Sequence, residues 1–467
     1  MLFHLIGIHD LESLSQIIGG KLSCQNTIFS SLVVDSRKVV KNSVFLALKG
    51  GTLDGSNYCQ DAIDKGAAAV ITDIKTSVNN AIIVEDTYLS LLKLAQYQQQ
   101  KVKPKTIAIT GSNGKTTVKE MIGQILSEED LVITYKNENN EFGIPFTVLR
   151  LTEKTKYLIL ECGARKVGDF DLISEFLNFD IVAITNINNS HIEIFENIEN
   201  IIKTKTKLFK ALKNDGLIID GANFNKISYP LDGFKQNNSI ITIHDDNNRE
   251  VWRSFSEPVE EPGKYILRFS NEEDDIFTIN EVNLGAKHNE KNALISFIIA
   301  KKIGINIDVV LKKLSNTQSQ LSNRFFINRV GSHVLIDDTY NANPVSMHAA
   351  INELKSNNFY PKNKVIVLGD MLELGNQSSI EHLKLLRAIS AMQDIQSIIL
   401  KGDSFKKALE NLDMDEKNDF ILHLDENEIF PIKKIISSLK EPSVILIKGS
   451  RGMRMEQIVD LFSSNLI

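Results

Sequence analysis

The chain has 467 residues, 42% hydrophobic and 24% charged, a composition that excludes disorder, collagen and coiled coil as whole-chain readings. Lys plus Arg number 53 against 59 Asp plus Glu, a net charge of −6, which argues against bulk binding of nucleic acid or an anionic membrane while allowing a local basic pocket. Three widely spaced cysteines (Cys24, Cys59, Cys162) make neither a disulfide framework nor a CxxC metal site, so a reduced, cytoplasmic setting is expected.

At about 150 residues per domain the length implies roughly three domains. The N-terminal apolar run is short, is broken by His4 and lacks a basic leader, so it does not read as a signal peptide. No stretch reaches the ~18 apolar residues of a membrane helix. Residues 1–102 mix short strands and helices: a helix over Asp10–Ile18, strands over Ser43–Leu48 and Ala68–Thr72, then a polar stretch with Pro104 as a linker mark. Residues 103–316 alternate apolar strands with amphipathic helices. Strands are expected over Thr106–Thr110, Leu131–Tyr135, Tyr157–Leu160, Asp180–Ile184 and Leu217–Ile219. Further β-rich stretches fall at Ser239–His244, Tyr265–Phe269 and Asp275–Ile279, with helices over 288–303 and 306–314. Residues 317–467 resume the alternation, with strands over Val334–Ile336, Lys364–Leu368, Ser397–Leu400, Phe420–Leu424 and Val444–Ile447. The expected fold class is α/β in three domains: a mixed N-terminal domain, a central P-loop ATPase-like parallel sheet and a C-terminal Rossmann-like doubly wound unit.

The strongest local signal is Thr106-Ile-Ala-Ile-Thr-Gly-Ser-Asn-Gly-Lys-Thr-Thr117. A strand runs into a glycine-bearing loop and then an amphipathic helix. Gly111 and Gly114 let the amides of Ser112, Asn113 and their neighbours converge on phosphate, and the helix N-terminus adds its positive dipole end. Lys115 can reach the outer phosphates, Thr116 can ligate Mg²⁺, and Thr117 is a further ATP-binding candidate. The residue five before Gly114 is Ile109, so the loop is a shorter variant of GxxxxGK[ST].

Glu161 ends a strand, and His191 follows another after Thr185-Asn-Ile-Asn-Asn. Ligands collect at the carboxyl ends of such strands. Glu161 and His191 are therefore candidates to join Thr116 around a metal, with a structural role the competing reading for each. Over Asn197–Leu212 the apolar stripe is Ile198, Ile201, Ile202, Leu208, Phe209 and Leu212, and Lys205 falls on it. Periodicity leaves two readings open: a lysine snorkelling at the core edge, or one with depressed pKa or a covalent modification.

Longer motifs then carry a resemblance over nearly the whole chain. They are Asp35-Ser-Arg-Lys-Val39, Val44–Gly50, Asp54-Gly55, the phosphate loop, Asn139–Pro145, Glu161–Ala164, His288-Asn-Glu-Lys-Asn-Ala293, Asp337–Pro344, Leu368–Gly375 and Lys448-Gly-Ser-Arg451. The chain resembles the Mur ligase family. Asp-Asp-x-Tyr-Asn-Ala-Asn-Pro and Gly-Asp-Met-x-Glu-Leu-Gly are similar to the branch that adds D-alanyl-D-alanine. The resemblance implies an ATP-driven amide ligase acting through an acyl phosphate, with UDP-N-acetylmuramoyl-tripeptide and D-alanyl-D-alanine as substrates, working as a monomer. It implies a uridine-nucleotide site in the first domain around Ser36 and Arg37. It also implies Mg²⁺ (two ions) on Thr116, Glu161 and His191, with a CO₂-derived carbamate on Lys205. Where family members often carry Glu two residues further on, this chain has Lys207. Asn289 and Asn292 match positions near adenine, Arg324 the arginine reaching ATP phosphate, and Asp338 a residue close to the nucleotide. Lys448, Ser450 and Arg451 match candidates for the acyl phosphate or dipeptide carboxylate. Lys115, Lys205, His191 and Arg324 form the catalytic set. Two other readings compete: a sibling ligase adding a different amino acid, and a regulatory ATP-binding protein without ligase chemistry. The third tripeptide residue, meso-diaminopimelate or L-lysine, stays open.

Overall fold

The computed structural model describes the chain except for residues 51–53, 75–77, 190, 225–237, 244–249, 317–322, 414–419, 425–431, 433–438 and 464–467. His244 at the expected strand end and residue 317 at the expected third boundary lie outside the described residues. Three sheets follow one another along the chain. The first holds β1 (Leu2–Phe3), β2 (Lys21–Leu22), β3 (Ser31–Val33), β4 (Ser43–Leu46), β5 (Ala69–Thr72) and β6 (Ala81–Ile83), in the order β1-β3-β4-β5-β6-β2. Its inner strands are parallel, and its edges are antiparallel.

The second sheet holds β7 (Lys105–Thr110), β8 (Leu131–Ile133), β9 (Tyr157–Glu161), β10 (Phe179–Ile184), β11 (Leu212–Asp220), β12 (Ser239–Ile243), β13 (Glu250–Pro258), β14 (Lys264–Asn271) and β15 (Ile276–Asn283). Its order is β15-β14-β13-β12-β11-β10-β7-β9-β8. It is parallel from β8 to β13, and β14 and β15 add an antiparallel edge. Strand β13 escapes a hydrophobic-pattern reading because its alternation is inverted: Ser254 and Ser256 face inward while Phe255 is exposed. The inward hydroxyls are satisfied by donating to the Glu290 carboxylate.

The third sheet holds β16 (Phe326–Val330), β17 (His333–Asp338), β18 (Asn363–Gly369), β19 (Ile395–Lys401), β20 (Ile421–Leu424) and β21 (Ser443–Lys448), in the order β16-β17-β21-β18-β19-β20. Only the β16 edge is antiparallel among its described pairs. Helices cover both faces of the second and third sheets, so their strands are apolar on both sides, as at Ile107, Ala108 and Ile109 of β7.

The helix Thr87–Val102 joins the first two units. Leu91 and Leu94 pack into the first core, and Leu92 and Ala95 into the second. It ends at Lys103 in the left-handed conformation, just before Pro104. The helix expected over Asn197–Leu212 is α-helical for Ile198–Thr206 and tightens to a 3₁₀ turn over Lys207–Ala211, and Leu212 already opens β11.

Candidate active site

Parallel order decides what meets at the sheet edge. β9, β7 and β10 are neighbours, so Glu161, the loop after Thr110 and the Thr185–Asn188 segment emerge side by side. The loop fits only with glycine at two points. Gly111 has φ +143°, and a Cβ there would come 2.0 Å from Thr185 Oγ1. Gly114 has φ +81°, and a Cβ there would come 2.4 Å from Asn292 Oδ1. The neighbouring segment braces the loop. The Ser112 amide donates to the Asn186 carbonyl (3.0 Å), the Asn113 amide to Asn186 Oδ1 (2.8 Å), and the Ser112 hydroxyl to the Asn188 carbonyl (3.0 Å).

Lys115 curls back on this loop, donating to the carbonyls of Gly111 (2.7 Å) and Ser112 (3.2 Å). Burial lowers its pKa to about 8, with nearby Arg324 adding to the effect and Glu161 opposing it. The Thr116 hydroxyl donates to Glu161 Oε1 (2.9 Å), which also accepts from Asn139 Nδ2 (2.7 Å). Glu161 Oε2 is buried without a hydrogen-bond partner among the described residues, and Lys119 Nζ stands 3.5 Å away. Lys119, at 1% exposure, is a site residue the sequence reading missed. It sits on a helix whose apolar stripe drew attention elsewhere, and its ammonium also donates to the carbonyls of Thr134 and Lys136 (3.2 Å each).

Lys205 points inward as its periodicity required. It is 2% exposed, and its ammonium donates to the Gly111 carbonyl at 3.0 Å. Burial, and then Lys115, push its pKa well below the ordinary lysine value. Lys207 leaves this pocket and pairs with Asp171 at 2.9 Å. His191 adopts a left-handed backbone conformation (φ 55°) and pairs through Nδ1 with Glu373 of the third unit. Burial lowers its pKa, and Glu373 opposes this.

The third unit closes the cleft. Arg324 Nη2 donates to Thr116 Oγ1 (2.9 Å), and its guanidinium lies 3.8 Å from the Tyr340 ring centroid. Asn343 donates from Nδ2 to Asn113 Oδ1 (2.7 Å) while capping the helix Pro344–Ser356. Asp338 and Lys448 end adjacent strands, β17 and β21, and pair at 2.6 Å. Lys448 Nζ also donates to the Asn341 carbonyl (3.0 Å), so its charge is already partnered.

A cleft of about 320 Å³ is lined by residues 111–117, Glu161, His191, Lys205, Asn289, Asn292, Arg324, Asp338 and Lys448 among others. Asn289 and Asn292 are buried in its wall, with Asn292 Nδ2 donating to Asn289 Oδ1 (2.9 Å). The structure does not bring Ser450, Arg451, Ser36 and Arg37 into that cleft. Ser450 is 3% exposed and is spent on loop packing, accepting from the Leu372 amide (2.8 Å). Arg451 lines a neighbouring pocket that also includes Thr116 and Arg324. Ser36 and Arg37 form a 3₁₀ turn after β3, where Arg37 pairs with Asp35 at 2.9 Å and holds that carboxyl down to about 2. Among the described residues no three His, Cys, Asp or Glu side chains cluster as a metal cage, and no helix is long and apolar enough to cross a membrane.

A braced phosphate loop answered by an arginine from a separate α/β unit is the plan of an ATP-using ligase, and family models agree. Residues 29–104 match "Mur ligase family, catalytic domain", 109–300 "Mur ligase middle domain" and 323–451 "Mur ligase, glutamate ligase domain". The chain belongs to the Mur ligase family. Among curated relatives, the UDP-N-acetylmuramoyl-tripeptide–D-alanyl-D-alanine ligase of Haemophilus influenzae is 31% identical, covering 96% of each chain. The enzyme of that name from Bacillus subtilis is also 31% identical, over 98% of this chain and 99% of its own. The crystal structure of MurF from Acinetobacter baumannii superposes with a TM-score of 0.85 at 26% identity, covering 99% of both chains.

Proposed function

We propose that this chain is an ATP-dependent ligase joining D-alanyl-D-alanine to UDP-N-acetylmuramoyl-tripeptide, which gives the pentapeptide precursor of peptidoglycan in the cytoplasm. The observation that carries the reading is the Arg324–Thr116 contact, which sets a cation of the third unit on the phosphate loop of the second. The full-length likeness to relatives of that name supports the choice of acceptor.

The γ-phosphate of ATP would lie against the amides of Gly111–Thr117, where Lys115 and Arg324 neutralise the charge that spreads over the transferring group. The tripeptide carboxylate attacks the γ-phosphorus and ADP leaves. The dipeptide amine then attacks the acyl carbonyl, losing a proton, and inorganic phosphate departs. Asn289, Asn292 and Asp338 border the nucleotide from the cleft wall. Lys448 fixes Asp338, and Arg451 remains the candidate for the dipeptide carboxylate from the neighbouring pocket. Ser36 and Arg37 would take the diphosphate of the uridine nucleotide in the first unit, leaving the tripeptide to reach the cleft.

The donors fit a hard divalent cation. Glu161 Oε2 is buried with no hydrogen-bond partner among the described residues, the Thr116 hydroxyl is beside the same carboxylate, and His191 lines the same cleft. Mg²⁺ held by Thr116, Glu161 and His191 would supply charge neutralisation at the phosphates when bound. Lys205 fits carbamylation because its buried amine donates to one carbonyl among the described residues and burial shifts it toward the uncharged form, the form that adds CO₂ with loss of a proton. A carbamate there would offer anionic oxygens to a second Mg²⁺, and Lys207, turned toward Asp171, stays clear of it. The test is ADP release that requires both the nucleotide-tripeptide and D-alanyl-D-alanine.

A further inference from the structure

The Gly-Asp-Met-Leu-Glu-Leu-Gly375 motif follows strand β18 at the boundary between the second and third units. Three successive residues are pinned. The Asp370 carboxylate accepts from the amides of Ser404 (2.8 Å) and Phe405 (2.9 Å), the Met371 amide donates to His382 Nε2 (2.9 Å), and the Leu372 amide donates to Ser450 Oγ (2.8 Å). The next residue, Glu373, turns into the left-handed region (φ 61°) and sends its carboxylate across the boundary between units to His191 Nδ1. His191 is itself left-handed, at the start of the helix Ile192–Phe195, and that helix packs against the turn Gly375–Gln377. Two non-glycine residues in a disfavoured conformation facing one another are over-determined by their surroundings. With Nδ1 engaged, Nε2 is the ring nitrogen left for the cleft that His191 lines.

We propose that Glu373 is a positioning residue that couples closure of the third unit to the phosphate cleft: it fixes the His191 ring only when the third unit is seated on the second. A decorative surface ion pair would contribute little and could be lost without consequence. A carboxylate that orients a working imidazole is worth about 10- to 100-fold.

The inference rests on the ligase reading, so its test includes an arm that needs no turnover. In full-length enzyme, Glu373→Ala should lower kcat about 10- to 100-fold with little change in KM for ATP. Glu373→Gln, whose amide oxygen still accepts from Nδ1–H, should recover most of the rate. In a His191→Ala background, Glu373→Ala should cost nothing further. Small-angle X-ray scattering with a non-hydrolysable ATP analogue should show a smaller contraction for Glu373→Ala than for the wild type. Wild-type kcat in Glu373→Ala, a Gln variant as poor as Ala, additive losses in the double variant, or equal contraction would each overturn the proposal. A wild-type chain without turnover would defeat the ligase reading instead, and the scattering arm would still judge Glu373.

Discussion

Two arginines, each on a tight turn beside an aspartate, show how differently the two ends of this molecule are built. Arg37 bonds to Asp35 two residues back, and its side chain is 84% exposed. Its hydrogen-bonding partner among the described residues, Asp35, is local. Arg324 sits between Asn323 (φ 71°) and Phe325 (φ 53°), both left-handed without being glycine. Asn323 is held by Thr339 (2.9 Å) and the Tyr340 amide (2.8 Å), and the Phe325 amide by Asp338 (3.2 Å). Its guanidinium stacks on Tyr340 and reaches Thr116, 208 residues away. The phosphate end is preorganised by contacts that only the folded chain can make. The Ser36–Lys38 turn instead offers an exposed cation held by its neighbour Asp35.

Substitutions at the two ends should therefore differ in kind. Arg324→Ala should lower ligation by about 10³-fold or more with the circular dichroism spectrum unchanged, because a charge aimed at the transferring phosphoryl group acts in the transition state. Full activity in that variant would break the contrast. Removing CO₂ exhaustively should cost about 10- to 100-fold, and bicarbonate should restore the rate, whereas Lys205→Ala should be slow and indifferent to bicarbonate. Undiminished activity in stripped enzyme would exclude the carbamate. Arg37→Ala should have the smallest effect, raising KM for the nucleotide-tripeptide about tenfold with kcat unchanged, as loss of uniform binding does. A fall in kcat there would mean that the first unit also shapes the transition state.

Local pattern carried the sequence reading a long way. The phosphate loop, Glu161 at a strand end and Lys205 on an inward stripe all lie where spacing placed them, because each depends on a strand–turn–helix or a helical register that neighbouring residues specify. The antiparallel extension was half legible: β14 and β15 have ordinary patterns, but β13 buries serines for the sake of Glu290. Lys119 was missed because it stands at the edge of the stripe formed by Val118, Met121, Ile122 and Ile125 rather than on it, so helical register does not mark it as Lys205 is marked. The bonds joining the second and third units, Arg324 to Thr116, Asn343 to Asn113 and Glu373 to His191, link positions 182 to 230 residues apart. No local periodicity encodes them. Ser450 shows the converse: its motif drew attention to it as a ligand contact, yet its hydroxyl holds one loop against another.

The most direct measurement is ADP release by the full-length chain with ATP, Mg²⁺ and UDP-N-acetylmuramoyl-tripeptide carrying either meso-diaminopimelate or L-lysine. Turnover with at least one tripeptide that depends on D-alanyl-D-alanine, with the pentapeptide as product, is the expected result. Turnover with a free diamino acid and none with D-alanyl-D-alanine would contradict it.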